Sequence, residues 1–206
     1  MPLLIFANGE MEEVEWVRPY LTQATAVWAA DGGSKHLKRL GRLPDRVIGD
    51  MDSLPPEVQA WLTAGQVPFN QHPPAKDETD LELALLLAVL EKRAGLNLAG
   101  EDVFVNVAGG FTVDERAADL GIVAAVVSSV RNRPVRQGTA VFGEVGLAGE
   151  VRATGQSLLR VREAAQMGFT RCVLPTGNAQ DEALTGCEVV GVRTVGEALD
   201  EVIGWD

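Results

Sequence analysis

Short apolar runs alternate along the chain with stretches whose apolar residues recur at helical spacing. Leu3–Ala7, Thr25–Ala30, Arg46–Ile48 and the weaker Val67–Asn70 read as strands. Between the first two, Glu10–Tyr20 spaces Met11, Val14 and Val17 for a short helix. Ser34–Leu40 predicts a second helix with Lys and Arg on its outer face, closed by Gly41. A third helix opens at Ser53, placed as N-cap ahead of Pro55-Pro56-Glu57, and runs to about Ala64. Leu81–Arg93 is apolar on most sides, which predicts a buried helix. Thr79 and Glu82 have the spacing of a capping box at its start. Beyond Gly95 the pattern predicts a strand at Val103–Ala108, ending in Gly109-Gly110, and a long helix at Asp114–Val130. Thr139–Arg152 reads as two short extended segments around Gly143, Gly146 and Gly149. Leu158–Gly168 (helix), Arg171–Leu174 (strand), Glu188–Val192 (strand) and Val195–Ile203 (helix) complete the order. Such alternation predicts an α/β protein with a mainly parallel sheet in its N-terminal half.

The totals narrow the function classes. A chain of 206 residues makes one or two domains and can bury a sizeable core. The formal net charge of −11 argues against nonspecific binding to nucleic acid or a membrane surface. No apolar run is long enough to span a bilayer and no leader is recognisable, so no membrane partner and a cytoplasmic location are expected. Cys172 and Cys187 lack metal-ligand or redox spacing. His36 and His72 stand apart from each other, and each is expected at the surface.

The candidate chemistry lies in acidic turns that come after the predicted strands: Ala30-Asp31-Gly32-Gly33, Val47-Ile48-Gly49-Asp50-Met51-Asp52-Ser53 and Lys76-Asp77-Glu78-Thr79-Asp80. Carboxylates at i and i+2 of an extended segment point the same way, so Asp50 and Asp52 can face one cation. Two acids so placed repel unless a cation lies between them. Hard oxygen ligands of this kind suit Mg²⁺, which shares phosphate oxygens with a substrate. Singly, Asp-Gly-Gly and Asp-x-Asp are ordinary turn signals. Three of them at the ends of apolar runs fall where α/β sheets place ligands, outside the carboxyl ends of the strands.

Taken in order, Asn8-Gly9, Ala30-Asp31-Gly32-Gly33, Pro44-Asp45, Ile48-Gly49-Asp50-Met51-Asp52-Ser53 and Lys76-Asp77-Glu78-Thr79-Asp80-Leu81-Glu82 resemble the N-terminal domain of thiamine pyrophosphokinase. The motifs cover about the first 85 residues. The resemblance implies a Rossmann-like, Mg²⁺-dependent site that binds ATP and transfers its diphosphate to thiamine. It implies catalytic roles for Asp31, Asp50, Asp52 and Asp80, with Asp50, Asp52 and Asp80 holding Mg²⁺. It implies nucleotide contacts from Asn8, Gly9, Gly32, Gly33, Ser53, Lys76, Asp77 and Thr79. That family continues with a Gly-Gly-Arg-x-Asp-His motif and a β-sandwich that helps bind thiamine. Gly109-Gly110 followed by Asp114 echoes the motif one residue too long and without its Arg and His.

The second half resembles another family. Val113-Asp114-Glu115, Ala117-Ala118-Asp119-Leu120, Asn132-Arg133-Pro134-Val135 and Phe142–Arg152 are similar to the C-terminal domain of the RadA family of bacterial DNA-repair ATPases, itself related to the proteolytic domain of Lon. The similarity spans about residues 84 to 195. No Gly-x-x-x-x-Gly-Lys-[Ser/Thr] motif occurs in the chain. The alignment puts Ala117 where a Lon-type Ser nucleophile lies and Leu158 where its Lys lies, so no peptidase activity is expected. Arg131, Arg133, Arg136 and Arg152 could retain part of a DNA-contacting surface, a contact the acidic chain does not favour.

The expected organisation is a nucleotide-binding region at 1–85 joined to a Lon-protease-like α/β region at 86–206. The two meet inside Leu81–Leu90, which satisfies both patterns. The leading expectation is a thiamine-pyrophosphokinase-like Mg²⁺-ATP-binding protein, incomplete as an enzyme because its thiamine-binding domain is replaced. Its partners are ATP, thiamine if the pocket survives, and further copies of itself, since both families are oligomeric. The alternative is a noncatalytic RadA-like module for assembly or DNA contact.

Overall fold

Parallel strands in sequence order build the N-terminal sheet of this computed structural model, which describes residues 2–49, 54–71, 80–98, 115–179 and 186–203. The strands are β1 (Leu3–Phe6), β2 (Ala26–Ala30), β3 (Arg46–Gly49) and β4 (Phe69–Gln71), each a little displaced from its predicted range. Registers Phe6↔Ala29, Ala30↔Ile48 and Gly49↔Gln71 bring their carboxyl ends side by side. Helical connections return the chain to the same end each time: α1 (Arg18–Gln23), α2 (Ser34–Leu40) and α3 (Pro56–Ala64). Phe6, Val27, Leu37, Val47, Val58 and Leu62 share one apolar core. Leu37, Val47 and Leu62 are fully buried, each worth about 1.5–3 kcal/mol relative to exposure.

Two helix starts differ from expectation. The first helix forms not at Glu10 but as a 3-10 turn, Glu15–Val17, running into α1. Pro19 explains the shift, because it occupies the opening turn of α1, where its missing N–H and fixed φ do no harm. An early start would have put Pro19 in a helix interior, where it breaks a hydrogen bond. In α3 the cap position is Pro55, whose carbonyl accepts from the Val58 amide at 2.8 Å, and Ser53 lies outside the described residues. Gly41 closes α2 at φ +68°, the left-handed conformation a glycine cap supplies.

Helix α4 (Asp80–Arg93) buries Leu83, Ala84, Leu86, Leu87, Ala88, Val89 and Leu90, as its apolar pattern predicts. It belongs to both compact units of the chain, Met1–Ala88 with Ala99–Thr112 and Val89–Leu98 with Val113–Asp206.

The second unit has its own parallel sheet, β5 (Thr139–Val141), β8 (Arg171–Pro175) and β9 (Glu188–Val192) in the order β5-β8-β9. A separate antiparallel hairpin pairs β6 (Glu144–Val145) with β7 (Val151–Arg152). Helices α5 (Asp119–Arg131), α6 (Ser157–Gln166) and α7 (Val195–Val202) complete it. The predicted long helix at Asp114 starts as a 3-10 turn, Arg116–Ala118, before α5 proper. Ala117, Phe142, Val161, Leu174 and Val189 form a core with both cysteines. The Cys172 and Cys187 sulfurs lie 3.4 Å apart, a juxtaposition their spacing in sequence does not suggest. Burial, then the neighbouring thiol, pushes Cys172 up to about 12, which keeps it a thiol and unreactive at neutral pH. Thr194 caps α7 by accepting from the Glu197 amide at 3.2 Å.

Candidate functional site

The parallel ends of β1, β2 and β3 bring Asn8-Gly9, Asp31-Gly32-Gly33 and Gly49 to one edge of the N-terminal sheet. This is the edge at which open α/β sheets bind ligands. Asn8 is its hub: Oδ1 accepts from the Gly9 amide at 3.0 Å and from Lys35 Nζ at 2.8 Å. Asp31 is only 5% exposed and has φ +39°, in the left-handed region. A non-glycine residue held there costs on the order of 1–3 kcal/mol, and such strain clusters at functional sites.

Gly32 and Gly33 owe their identity to packing. A Cβ on Gly32 would lie 2.5 Å from Asn8 Oδ1, and one on Gly33 would collide with the Phe6 carbonyl. The two glycines therefore let the turn after β2 close against the end of β1.

Helix α2 grips the loop after β1 with three side chains. Lys35 reaches Asn8, His36 Nε2 lies 3.1 Å from the Gly9 carbonyl, and Arg39 donates to the Met11 and Glu12 carbonyls at 2.5 and 2.7 Å. The expectation that His36 lies at the surface is wrong: it is 3% exposed. The sequence signal that bears on this is its place beside Leu37 on a seven-residue helix, where a single turn decides which residues face inward. Next to a carbonyl, Nε2 must carry the proton and donate, which leaves Nδ1 as the bare nitrogen, buried with no hydrogen-bond partner among the described residues. Burial lowers the His36 pKa, the Lys35 and Arg39 charges lower it further, and the Gly9 carbonyl opposes them.

That shift fixes a pH dependence. The unfolded chain takes up the His36 proton near pH 6.5, the ordinary value, before the folded chain does. Stability is thus complete above that pH and falls as pH drops from about 6.5 toward the lower folded value, by no more than about 1.4 kcal/mol per pH unit for one proton. Melting temperatures between pH 8 and pH 5 should show this decline in the parent and a flatter profile in His36→Gln, whose amide can still donate to Gly9. Parallel profiles would remove His36 as the titrating group.

Of the remaining expected site residues, Asp50, Asp52, Ser53, Lys76, Asp77 and Thr79 lie outside the described residues, and Asp80 opens α4 with its side chain undescribed. Among the described residues no three His, Cys, Asp or Glu side chains gather as a metal site. The described edge offers a buried carboxylate, Asp31, and the fully buried Ser34 hydroxyl, whose oxygen has no hydrogen-bond partner among the described residues. A hard oxygen and an orphan hydroxyl fit a hard cation or a phosphate group. His72 and the Gly109-Gly110…Asp114 echo are also outside the described residues.

In the second unit, Ala117 is buried and Leu158 is 40% exposed. Neither side chain can attack a carbonyl or take a proton. Beside them, Glu115 pairs with Arg160, whose guanidinium lies 5.9 Å over the Phe142 ring. Ser128 donates to the Arg133 carbonyl at 2.6 Å. Of the four arginines considered for DNA contact, Arg152 is held by Glu150 and by Glu144 at 3.3 Å, so its charge is matched on the surface.

The thiamin pyrophosphokinase catalytic domain matches residues 17–131, and the Lon protease (S16) C-terminal proteolytic domain matches residues 92–202. Each span is more than half of the chain. The chain belongs to both families. The thiamin pyrophosphokinase match runs well past residue 85, and the two matches overlap over 92–131. Relatives include DNA repair proteins RadA. That of Escherichia coli is 49% identical over 117 residues, 57% of this chain and 25% of the relative. That of Bacillus subtilis is 46% identical over 152 residues, 72% and 32% respectively. That of Halalkalibacterium halodurans is 39% identical over 165 residues, 77% and 35%. The chain thus spans about a quarter to a third of these relatives' length. A share of 77% is more than residues 86–206 can supply, so the RadA likeness reaches N-terminal to Leu86. A solved thiamin pyrophosphokinase from Candida albicans aligns with a TM-score of 0.41 at 16% identity, covering 63% of this chain and 41% of that one. No helix among the described residues is long and apolar enough to cross a membrane.

Proposed function

We propose that the N-terminal unit binds Mg²⁺-ATP at the carboxyl edge of its sheet, as a thiamine-pyrophosphokinase-like protein. The observation that carries this reading is the convergence of Asn8-Gly9, Asp31-Gly32-Gly33 and the approach to Asp50 on adjoining strand ends, within a chain matched by that family. In this reading Asp50, Asp52 and Asp80 hold Mg²⁺, supported by Asp31, while Lys76, Asp77, Ser53 and Thr79 complete the nucleotide contacts. Mg²⁺, when bound, neutralises phosphate charge. The transfer itself joins the thiamine hydroxyl oxygen to the β-phosphorus, breaks the bond from that phosphorus to the α–β bridging oxygen, and releases AMP. One carboxylate receives the hydroxyl proton. Such a step depends on positioning and electrostatics more than on covalent help. The site lies within residues 1–85, and the RadA-like region covers 86–206 and extends N-terminal to Leu86.

The test is titration calorimetry with ATP, with and without Mg²⁺. The parent should bind, and Asp50→Asn with Asp52→Asn should weaken the Mg²⁺-dependent affinity at least tenfold, about 1.4 kcal/mol. Equal binding by parent and double variant would show the site to be elsewhere.

The second reading, a noncatalytic RadA-like module for assembly or DNA contact, draws on the 49% identity to the Escherichia coli protein. The Arg152 ion pairs weigh against its DNA-contact form. Sedimentation at high micromolar concentration separates a self-associating module from a monomer.

A further inference from the structure

We propose that Lys35, a residue outside the acidic motifs, is a phosphate-binding residue of the same edge, parked on Asn8 until a nucleotide's phosphate chain takes its place. The proposal rests on the Mg²⁺-ATP reading and adds a cation to it.

Three observations carry it. First, position: Lys35 Nζ lies 2.8 Å from Asn8 Oδ1, the atom against which Gly32 closes too tightly for any Cβ. The ammonium therefore stands at the mouth formed by the ends of β1 and β2, where Asp31 is also buried. Second, partner: in a chain of net charge −11, Lys35 makes no ion pair among the described residues, and its acceptor is a neutral amide oxygen already shared with the Gly9 amide. A hydrogen bond from an ammonium to phosphate is charge-assisted on both sides and stronger than one to a neutral amide, so a phosphate displaces Asn8. Third, contrast with its neighbours: His36 and Arg39 tie the same loop through backbone carbonyls of Gly9, Met11 and Glu12. Those bonds keep the loop in place when Lys35 leaves. Lys35 is half-exposed, whereas His36 is buried. The helix thus has two residues that hold the loop and one that is able to move.

The experiment compares the parent, Lys35→Met, Lys35→Arg and Asp50→Asn/Asp52→Asn. Each is titrated with ATP and with AMP, with and without Mg²⁺, at two salt concentrations, and a thermal melt is recorded for each. Lys35→Met should weaken ATP about tenfold both with and without Mg²⁺, weaken AMP much less, and lower the salt dependence of ATP binding. Lys35→Arg should keep most of the affinity, and all melts should stay near that of the parent. The aspartate pair should lose only the Mg²⁺-dependent part. If Lys35→Met binds ATP like the parent while the aspartate variant is impaired, Lys35 is not a phosphate ligand and the site stands. If it weakens ATP and AMP equally, or only in step with a lowered melting temperature, its role is structural and the proposal is overturned. If the parent binds no nucleotide, the reading of the site falls and this proposal with it.

Discussion

A Gly33→Ala chain is expected to lose much of the stability of its N-terminal unit. The new Cβ would overlap the carbonyl of Phe6 and crowd the Ala7 amide. That obstacle is backbone, and Phe6 is registered against Ala29 in the sheet, so it cannot give way without loosening β1 from β2. Overpacking a core typically costs about 1–3 kcal/mol, and here the upper end or beyond applies because no side chain can swing aside. Against a total of roughly 5–15 kcal/mol for a domain, this is a large share. The melting temperature should drop by at least about 10 °C, at several degrees per kcal/mol for a unit of this size. Three of the four tryptophans, Trp16, Trp28 and Trp61, lie in this unit, so tryptophan fluorescence mainly reads its unfolding. Gly155→Ala, where nothing lies within 4 Å of the added carbon, is the matched control and should leave the melt unchanged. A Gly33→Ala chain that melts with the parent would show that the turn after β2 is not closed in this way.

With Mg²⁺-ATP and thiamine supplied, the 206-residue chain by itself is expected to form thiamine diphosphate weakly or not at all. On the proposed reading the phosphates and metal have their ligands at the sheet edge. The attacking hydroxyl must still be held near the β-phosphorus. The thiamin pyrophosphokinase match ends at Arg131, and the chain beyond that residue folds as a Lon-family unit with its own sheet, β5-β8-β9. Orientation of two reactants supplies about 7–11 kcal/mol of barrier lowering in favourable cases. Losing it removes many orders of magnitude in rate while nucleotide affinity persists. A coupled assay for thiamine diphosphate, run beside the calorimetry, tests both halves. Turnover at an ordinary enzyme rate would mean that thiamine is positioned by this chain after all.

Much of the fold is legible in the sequence because its strands are short apolar runs and its helices carry clear stops. Gly41 is such a stop: its left-handed conformation at the end of α2 is what a helix-terminal glycine supplies. The helix expected at Glu10 is misplaced because apolar spacing at Met11, Val14 and Val17 outweighs Pro19, although proline fixes a helix start more firmly than periodicity does. The cap on α7 is written in Thr194 and Glu197, three residues apart, a signal that the spacing of Val195–Ile203 overshadows. At the carboxyl edge of the N-terminal sheet, the meeting of Asn8, Asp31, Gly32 and Gly33 follows from the order of turns. Their contacts cannot, since the collision that Gly33 avoids involves Phe6, far away in sequence. Lys35, His36 and Arg39 are unreadable for the same reason: nothing local to Ser34–Leu40 tells that its side chains meet the loop after β1.

The grip of α2 on that loop has an evolutionary corollary. His36 and Arg39 hold it by carbonyl oxygens, which every residue possesses. The exposed side chains of Glu10, Glu12 and Glu13 take no part in these bonds. Substitutions at those three positions can therefore accumulate under drift without releasing the loop. The surface of the loop after β1 is thus open to change in charge and shape while the anchoring helix stays the same.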